Sequence, residues 1–172
     1  FVFFYGLVLF LSYLLLVFLS MFSIRKYLKR NTYTDNDAII YSPIAPGISV
    51  IAPAYNEELT IISNVHSLLT LNYVRFEVII INDGSTDKTL ELLIDEFRLV
   101  KVDFAYDEKI TTRPVKGFYK STEPAFSKLL VIDKENGKSK ADGSNAVINA
   151  SSFPYFVCTY LDCILHKDTL LE

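Results

Sequence analysis

Phe76-Glu77-Val78-Ile79-Ile80-Ile81-Asn82-Asp83-Gly84-Ser85-Thr86-Asp87 is the stretch on which the fold turns. Its first six residues, Phe76 to Ile81, are nearly all apolar, which suits a strand buried on both faces. Acid, glycine and hydroxyl then follow one another as a turn signal, and Asp87 to Phe97 returns to apolar residues at helical spacing. Upstream, Gly47 to Pro53 is a second apolar run rich in β-branched residues, and Glu58 to Leu71 spaces Ile61, Ile62, Val65, Leu68 and Leu69 as one helical face. Strand, helix, strand, helix predicts an α/β fold with a parallel sheet covered on both faces. Downstream, Leu99 to Tyr106 reads as a third strand. Leu129 to Ile132, a helix from about Asp142 to Ala150, and Tyr155 to Leu161 continue the pattern. Asp107 to Pro124 is polar, with Arg113, Lys116 and Lys120, and reads as loop.

Outward from the sheet, residues 1–24 contain no charge and are dominated by Leu, Phe, Val and Tyr, long enough to cross a hydrocarbon layer of about 30 Å as a helix. A secretory signal peptide has a shorter apolar run and a small-residue cleavage site, so a membrane span is the preferred reading. Arg25, Lys26, Lys29 and Arg30 follow at once, and such clusters stay on the cytosolic side. Residues 25–46 therefore read as a basic juxtamembrane segment and linker, with Pro43 and Pro46 as breakers, and residues 47–172 as the α/β domain. The chain opens on Phe1 and stops inside what reads as the start of a helix, so both ends are expected to be cuts in a longer protein. A net charge of -3 with no basic face speaks against a nucleic-acid partner. The two cysteines, Cys158 and Cys163, resemble neither a disulfide framework nor a zinc site, which fits a reducing compartment.

Ligands of open α/β sheets bind at the carboxyl ends of the strands, and four such ends carry chemistry. After the first strand, Ala54, Tyr55, Asn56 and Glu57 offer a ring that can pack on a base and an acid at a helix start; a capped helix with a core tyrosine is the plain alternative. After the second, Asp83 enters a Gly-Ser turn, where a carboxylate accepts hydrogen bonds from ribose hydroxyls or base edges; Asp87 fits a helix cap equally well. Gly137 to Asn145 puts Lys138 and Lys140 at a helix start, suited to a diphosphate or simply solvated. Its spacing matches neither a Walker A loop nor GxGxxG. After the last strand, Asp162 suits a divalent cation that bridges phosphates, or the capping of a turn.

In order, the stretches PAYNEE, INDGSTDKT, KADGSNAVINAS and CTYLDCILHKDTLLE resemble the family 2 glycosyltransferases, especially the membrane-embedded processive type that includes bacterial cellulose, hyaluronan and poly-N-acetylglucosamine synthases. The resemblance covers Ile48 to Glu172. It implies a partial GT-A domain, Rossmann-like, with a UDP-sugar donor, a glycan acceptor, a bound Mg²⁺ or Mn²⁺ and a place at the cell membrane with the catalytic domain cytosolic. It puts Ala54, Tyr55 and Glu57 at the nucleobase, Asp83 at the uridine, Lys140 at the diphosphate and Asp162 at the second acid of the metal-binding Asp-x-Asp motif, while Lys138 falls outside the alignment.

The sequence departs from the family where Tyr160 replaces the first acid of that motif. A phenol with a pKa near 10 supplies no negative charge, so metal and donor affinity are expected to fall. The family's catalytic base, an Asp in a later Glu-Asp motif, is expected beyond Glu172, and the stretch in hand is expected to bind donor without turnover. A catalytically inactive nucleotide-sugar-binding or scaffold homologue is the second reading.

Overall fold

The computed structural model describes residues 1–31, 42, 44–106, 108–161 and 163–171, the side chains of Arg30, Asn31 and Lys140 excepted. The contrast between the apolar start and the mixed remainder reappears as two units, Phe1–Ile39 and Ile40–Glu172. In the first, α1 (Val2–Asn31) is a continuous helix. Its stretch Val2–Lys29, with an 18-residue window of mean hydropathy 2.6, is long and apolar enough to cross a membrane. The helix continues past Arg25 and Lys26, because a change to charged side chains does not interrupt its backbone hydrogen bonds.

In the second unit, β1 (Ile48–Ala54) leads through α2 (Ile61–Leu69) to β2 (Phe76–Asp83), and α3 (Thr89–Glu96) leads to β3 (Leu99–Val102). Then come β4 (Val115–Ser121), a 3₁₀ turn (Pro124–Phe126), β5 (Leu129–Lys134), α4 (Lys140–Ala150) and β6 (Tyr155–Cys158). The six strands form one sheet in the order β3-β4-β5-β2-β1-β6. β1 and β2 are its interior, which is why their sequences are almost unbroken runs of apolar side chains. Ile51, Ile79, Ile81, Leu130 and Ile132 pack with Val147 and Ala150 of α4. Val78 and Ile80, pointing the other way by strand alternation, are equally buried, as are Ile61, Val65 and Leu68 of α2 and Leu93 of α3.

The sheet is mixed, where the sequence pattern predicts a parallel one. β1 pairs in parallel with β2 and β6, and β2 with β5, but β4 is antiparallel to both β3 and β5. β4 lies inside the stretch from Asp107 to Pro124 read as loop. A bulge between Val115 and Gly117 breaks its period, and its exposed lysines disguise it. Phe118 nevertheless enters the core and Lys120 lies over the Phe104 ring at 5.2 Å. β3 stops at Val102, four residues before the expected end, because Phe104 and Tyr106 leave the strand and meet Phe118 instead, with ring centroids 4.9 and 5.1 Å away. β6 likewise ends at Cys158 rather than Leu161. The helices begin later than expected at Ile61 and Thr89, and earlier at Lys140, where the Ser139 hydroxyl accepts the Ala141 N–H at 3.2 Å as N-cap.

Register does the rest. Ala54 stands beside Asn82 across β1 and β2, and Asp83 beside Lys134 across β2 and β5, so three parallel strands deliver their last residues to one level. Just below, the Asn82 side-chain amide donates to Asp133 Oδ1 at 2.7 Å, with both residues buried. The side-chain oxygen of Asn82, Oδ1, has no partner among the described residues. Asp133→Ala leaves the Asn82 amide wholly unpaired and is expected to cost about 1–3 kcal/mol, whereas Asn82→Leu with Asp133→Leu costs less than the single change, because no polar group stays orphaned. Urea unfolding followed by near-ultraviolet circular dichroism of the tyrosines, the chain having no Trp, measures both.

Candidate functional site

The carboxyl ends of β1 and β2 open on a cleft of about 190 Å³, lined by Pro53, Ala54, Tyr55, Glu57 and Asp83 and faced by Gly143, Tyr160 and Leu161. The two loops that form it are tied to each other. The Asn56 N–H donates to Ser85 Oγ at 3.0 Å, and Asn56 Oδ1 accepts the Thr86 N–H at 2.8 Å. The Glu57 N–H donates to Thr89 Oγ1 at 2.9 Å and the Glu58 N–H to Asp87 Oδ2 at 3.1 Å. Asn56 has φ 56°, a conformation asparagine tolerates better than most residues. Gly84 has φ +67° and lies so close to the next loop that a Cβ would stand 2.7 Å from the Asn136 nitrogen, so only glycine fits there.

Asp87 is consumed by this framework. Its Oδ1 accepts the Thr89 N–H at 3.0 Å and the Thr89 hydroxyl at 2.6 Å. Burial raises its carboxyl pKa, but the Thr89 and Glu58 hydrogen bonds outweigh it and hold the group below the ordinary Asp range. The N-cap of α3 is Lys88, and Asp87 holds the helix start from the position before it.

Behind Asp83 lies a group that strand periodicity does not reveal. Lys134, the last residue of β5, is fully buried, and its ammonium donates to Asp83 Oδ1 at 2.8 Å, to Asp142 Oδ2 at 2.5 Å and to the Glu135 carbonyl at 2.8 Å. Its three N–H donors therefore meet three acceptors. Gly137 completes the arrangement: its N–H donates to Asp83 Oδ1 at 3.1 Å, and a Cβ on it would stand 2.2 Å from Asp142 Oδ2. Asp142 Oδ1 accepts the Arg113 N–H at 3.2 Å. Burial raises the Asp142 pKa, but the Lys134 hydrogen bond, the Arg113 N–H and both positive charges outweigh it and lower the carboxyl below its usual range. The signal available in sequence was a lysine closing the apolar strand Leu-Leu-Val-Ile-Asp-Lys, with aspartates at two neighbouring element ends.

The opposite wall is tied to β1 and to α2. The Thr159 N–H donates to the Ile51 carbonyl at 2.8 Å, and the buried Asn64 amide donates to the Leu161 carbonyl. Between them Tyr160 borders the cleft, half exposed. A second hollow of about 330 Å³ shares Tyr55 and Asp83 with the first and adds Asn136, Lys138 and Ser139. Lys138, to which the resemblance gives no role, is exposed but borders this hollow.

Ala54, Tyr55, Glu57 and Asp83 thus stand together in one cleft. Lys140 opens α4, its side chain outside the description, and Asp162 lies outside the described residues. Among the described residues no three His, Cys, Asp or Glu side chains cluster as metal ligands. The cleft's own carboxylates among the described residues are Glu57 and Asp83, fewer oxygens than the roughly six a divalent ion takes.

A mixed α/β sheet with its cleft at the carboxyl ends of central parallel strands places the domain in the GT-A-like class. Solved structures share that fold. Staphylococcus aureus TarS 1–349 in complex with UDP-GlcNAc gives a TM-score of 0.52 at 22% identity, covering 72% of this chain and 29% of that one. The mannosyltransferase PcManGT from Pyrobaculum calidifontis, in complex with GDP-Man and Mn²⁺, gives 0.54 at 19% identity, covering 89% and 41%. The family model for Glycosyl transferase family 2 matches residues 49–111. Poly-beta-1,6-N-acetyl-D-glucosamine synthases of Staphylococcus epidermidis and Staphylococcus aureus are 30% identical over 122 residues, 71% of this chain. The chain carries a family 2 glycosyltransferase domain, and it spans 23% of the length of those synthases.

The lowered carboxyl of Asp142 sets a pH dependence of stability. A group whose native pKa lies below its unfolded value, about 3.9 for Asp, stabilises the fold at higher pH and loses that contribution as pH falls through the native value. The unfolding midpoint in urea is expected to hold above about pH 5 and to drop below about pH 4. The drop should be shallower in Asp142→Asn, measured on the same circular dichroism signal.

Proposed function

We propose that this domain holds the nucleotide-sugar donor, a UDP-sugar, of an inverting glycosyltransferase that builds a polysaccharide or glycan at the membrane. The observation that carries the reading is the gathering of Ala54, Tyr55, Glu57 and Asp83 at one cleft on the carboxyl ends of β1 and β2, the place where open α/β sheets take nucleotides. In this reading Ala54, Tyr55 and Glu57 contact the base and Asp83 the uridine. Lys140 contacts the diphosphate at the start of α4, and Asp162 holds Mg²⁺ or Mn²⁺ against the phosphates. The ion would offset charge on the departing UDP. An Asp of a later Glu-Asp motif would take the proton of the acceptor hydroxyl, which attacks the anomeric carbon opposite the leaving UDP and inverts it. Residues 1–24 would anchor the protein in the bilayer, and the cluster Arg25, Lys26, Lys29 and Arg30 would keep the domain, residues 47–172, cytosolic beyond the linker of residues 25–46.

Calorimetric titration of the full chain in detergent with UDP and Mn²⁺ tests the donor site. Saturable binding is expected, weakened at least about tenfold in Asp83→Ala through loss of a charge-assisted hydrogen bond. A folded chain that ignores UDP at about millimolar concentration, a binding energy of only about 4 kcal/mol, sinks the reading.

One observation favours a catalytically inactive nucleotide-sugar-binding or scaffold homologue: Tyr160 borders the cleft where the resemblance expects an acid. Tyr160→Asp is expected to strengthen Mn²⁺-dependent UDP binding several-fold, by restoring a carboxylate beside the phosphates. Equal binding by both forms across a Mn²⁺ titration would remove Tyr160 as a cause of weakened metal affinity.

A further inference from the structure

We propose that Lys134 is a positioning residue for nucleobase choice: by filling one oxygen of Asp83 it leaves the other as the acceptor that selects a uracil over a cytosine ring. The inference rests on the donor-site reading and deepens it. Asp83 Oδ1 receives two donors, the Lys134 ammonium at 2.8 Å and the Gly137 N–H at 3.1 Å. Both of the Asp83 hydrogen bonds among the described residues fall on Oδ1, and Asp83 lines both hollows, which share Tyr55. A carboxylate offers acceptors only. The uracil ring presents an imide N–H to such an oxygen, whereas cytosine presents a lone pair at the same ring position and is repelled. A carboxylate already held in one rotamer keeps an oxygen aimed at the cleft and loses no rotational freedom on binding, whereas one free to turn must be ordered by the ligand.

Lys134 supplies that constraint from behind. Its side chain is wholly buried and does not itself line the cleft, so its influence on a ligand runs through Asp83. Asp142 holds the ammonium from the other side, with Oδ1 anchored to the Arg113 N–H and Gly137 pressed against Oδ2. Without Lys134, Asp83 keeps only the Gly137 N–H and gains freedom to turn.

The test compares UDP and CDP binding to the full chain in detergent, by calorimetry, for wild type, Lys134→Met and Asp142→Asn. Wild type is expected to prefer UDP by about tenfold or more, the value of one well-placed hydrogen bond against a repulsive contact. Lys134→Met fills similar volume without the ammonium. It should bind UDP about tenfold more weakly and prefer it by less than about threefold, as expected for loss of a charged hydrogen bond. Asp142→Asn leaves Lys134 on Asp83 and should keep most of the preference, which separates positioning from general damage to the cluster. A Lys134→Met chain that melts cooperatively and keeps both affinity and preference within about twofold, a difference of some 0.4 kcal/mol, overturns the proposal. Should that variant fail to melt cooperatively, Lys134→Gln carries the same comparison, with a reduced preference supporting the proposal and an unchanged one overturning it. Wild type that binds UDP and CDP equally overturns this inference alone. Wild type that binds neither overturns the donor site and this inference together.

Discussion

A lysine ammonium stripped of water costs several kcal/mol unless acceptors surround it, and much of the cleft's framework depends on how that cost is met at Lys134. Asp83, Asp142 and the Glu135 carbonyl come from the end of β2, the first turn of α4 and the loop between β5 and α4. Satisfying one charge thus fixes two strand ends and a helix start relative to one another. It also explains the glycine at position 137, since any side chain there would enter the space Asp142 needs to reach the ammonium. Removing one partner of such a group typically costs 3–5 kcal/mol, so the geometry of the cleft and the stability of the sheet are bound to the same contacts.

The sheet provides the frame in which this can happen. Parallel pairing of β1, β2 and β5 brings chemically different last residues to the same height, and burial of both sheet faces holds the register, because a slip by one residue would turn every apolar side chain to the wrong side. The antiparallel β3 and β4 extend that frame on one flank without adding residues to the cleft, and β6 extends it on the other, where the chain turns into the Tyr160 wall.

Much of this was legible in the sequence. The runs around Val50 and Ile80 are so uniformly apolar that a buried strand is the only economical reading, and Asp83 follows from its place at the end of one. β4 was illegible because a near-edge strand with exposed lysines and a bulge has no clean period. Lys134 was illegible for a different reason. A lysine in sequence carries no mark of burial, and its partners lie 51 and 8 residues away. Lys140 and Asp162 were read from family order, which fixes residue identity without fixing geometry.

The two sides of the cleft are held in different ways. The β1 and β2 loops are laced to each other through Asn56, Ser85, Thr86 and Thr89, so that side is already ordered before a ligand arrives and loses little conformational entropy on binding. The Tyr160 side is joined to β1 through the Thr159 N–H and to α2 through the Leu161 carbonyl, and the Tyr160 carbonyl accepts the Cys163 N–H at 3.3 Å. For the β1 and β2 loops, the ordering that a binding site needs is thus met in folding rather than when a ligand arrives.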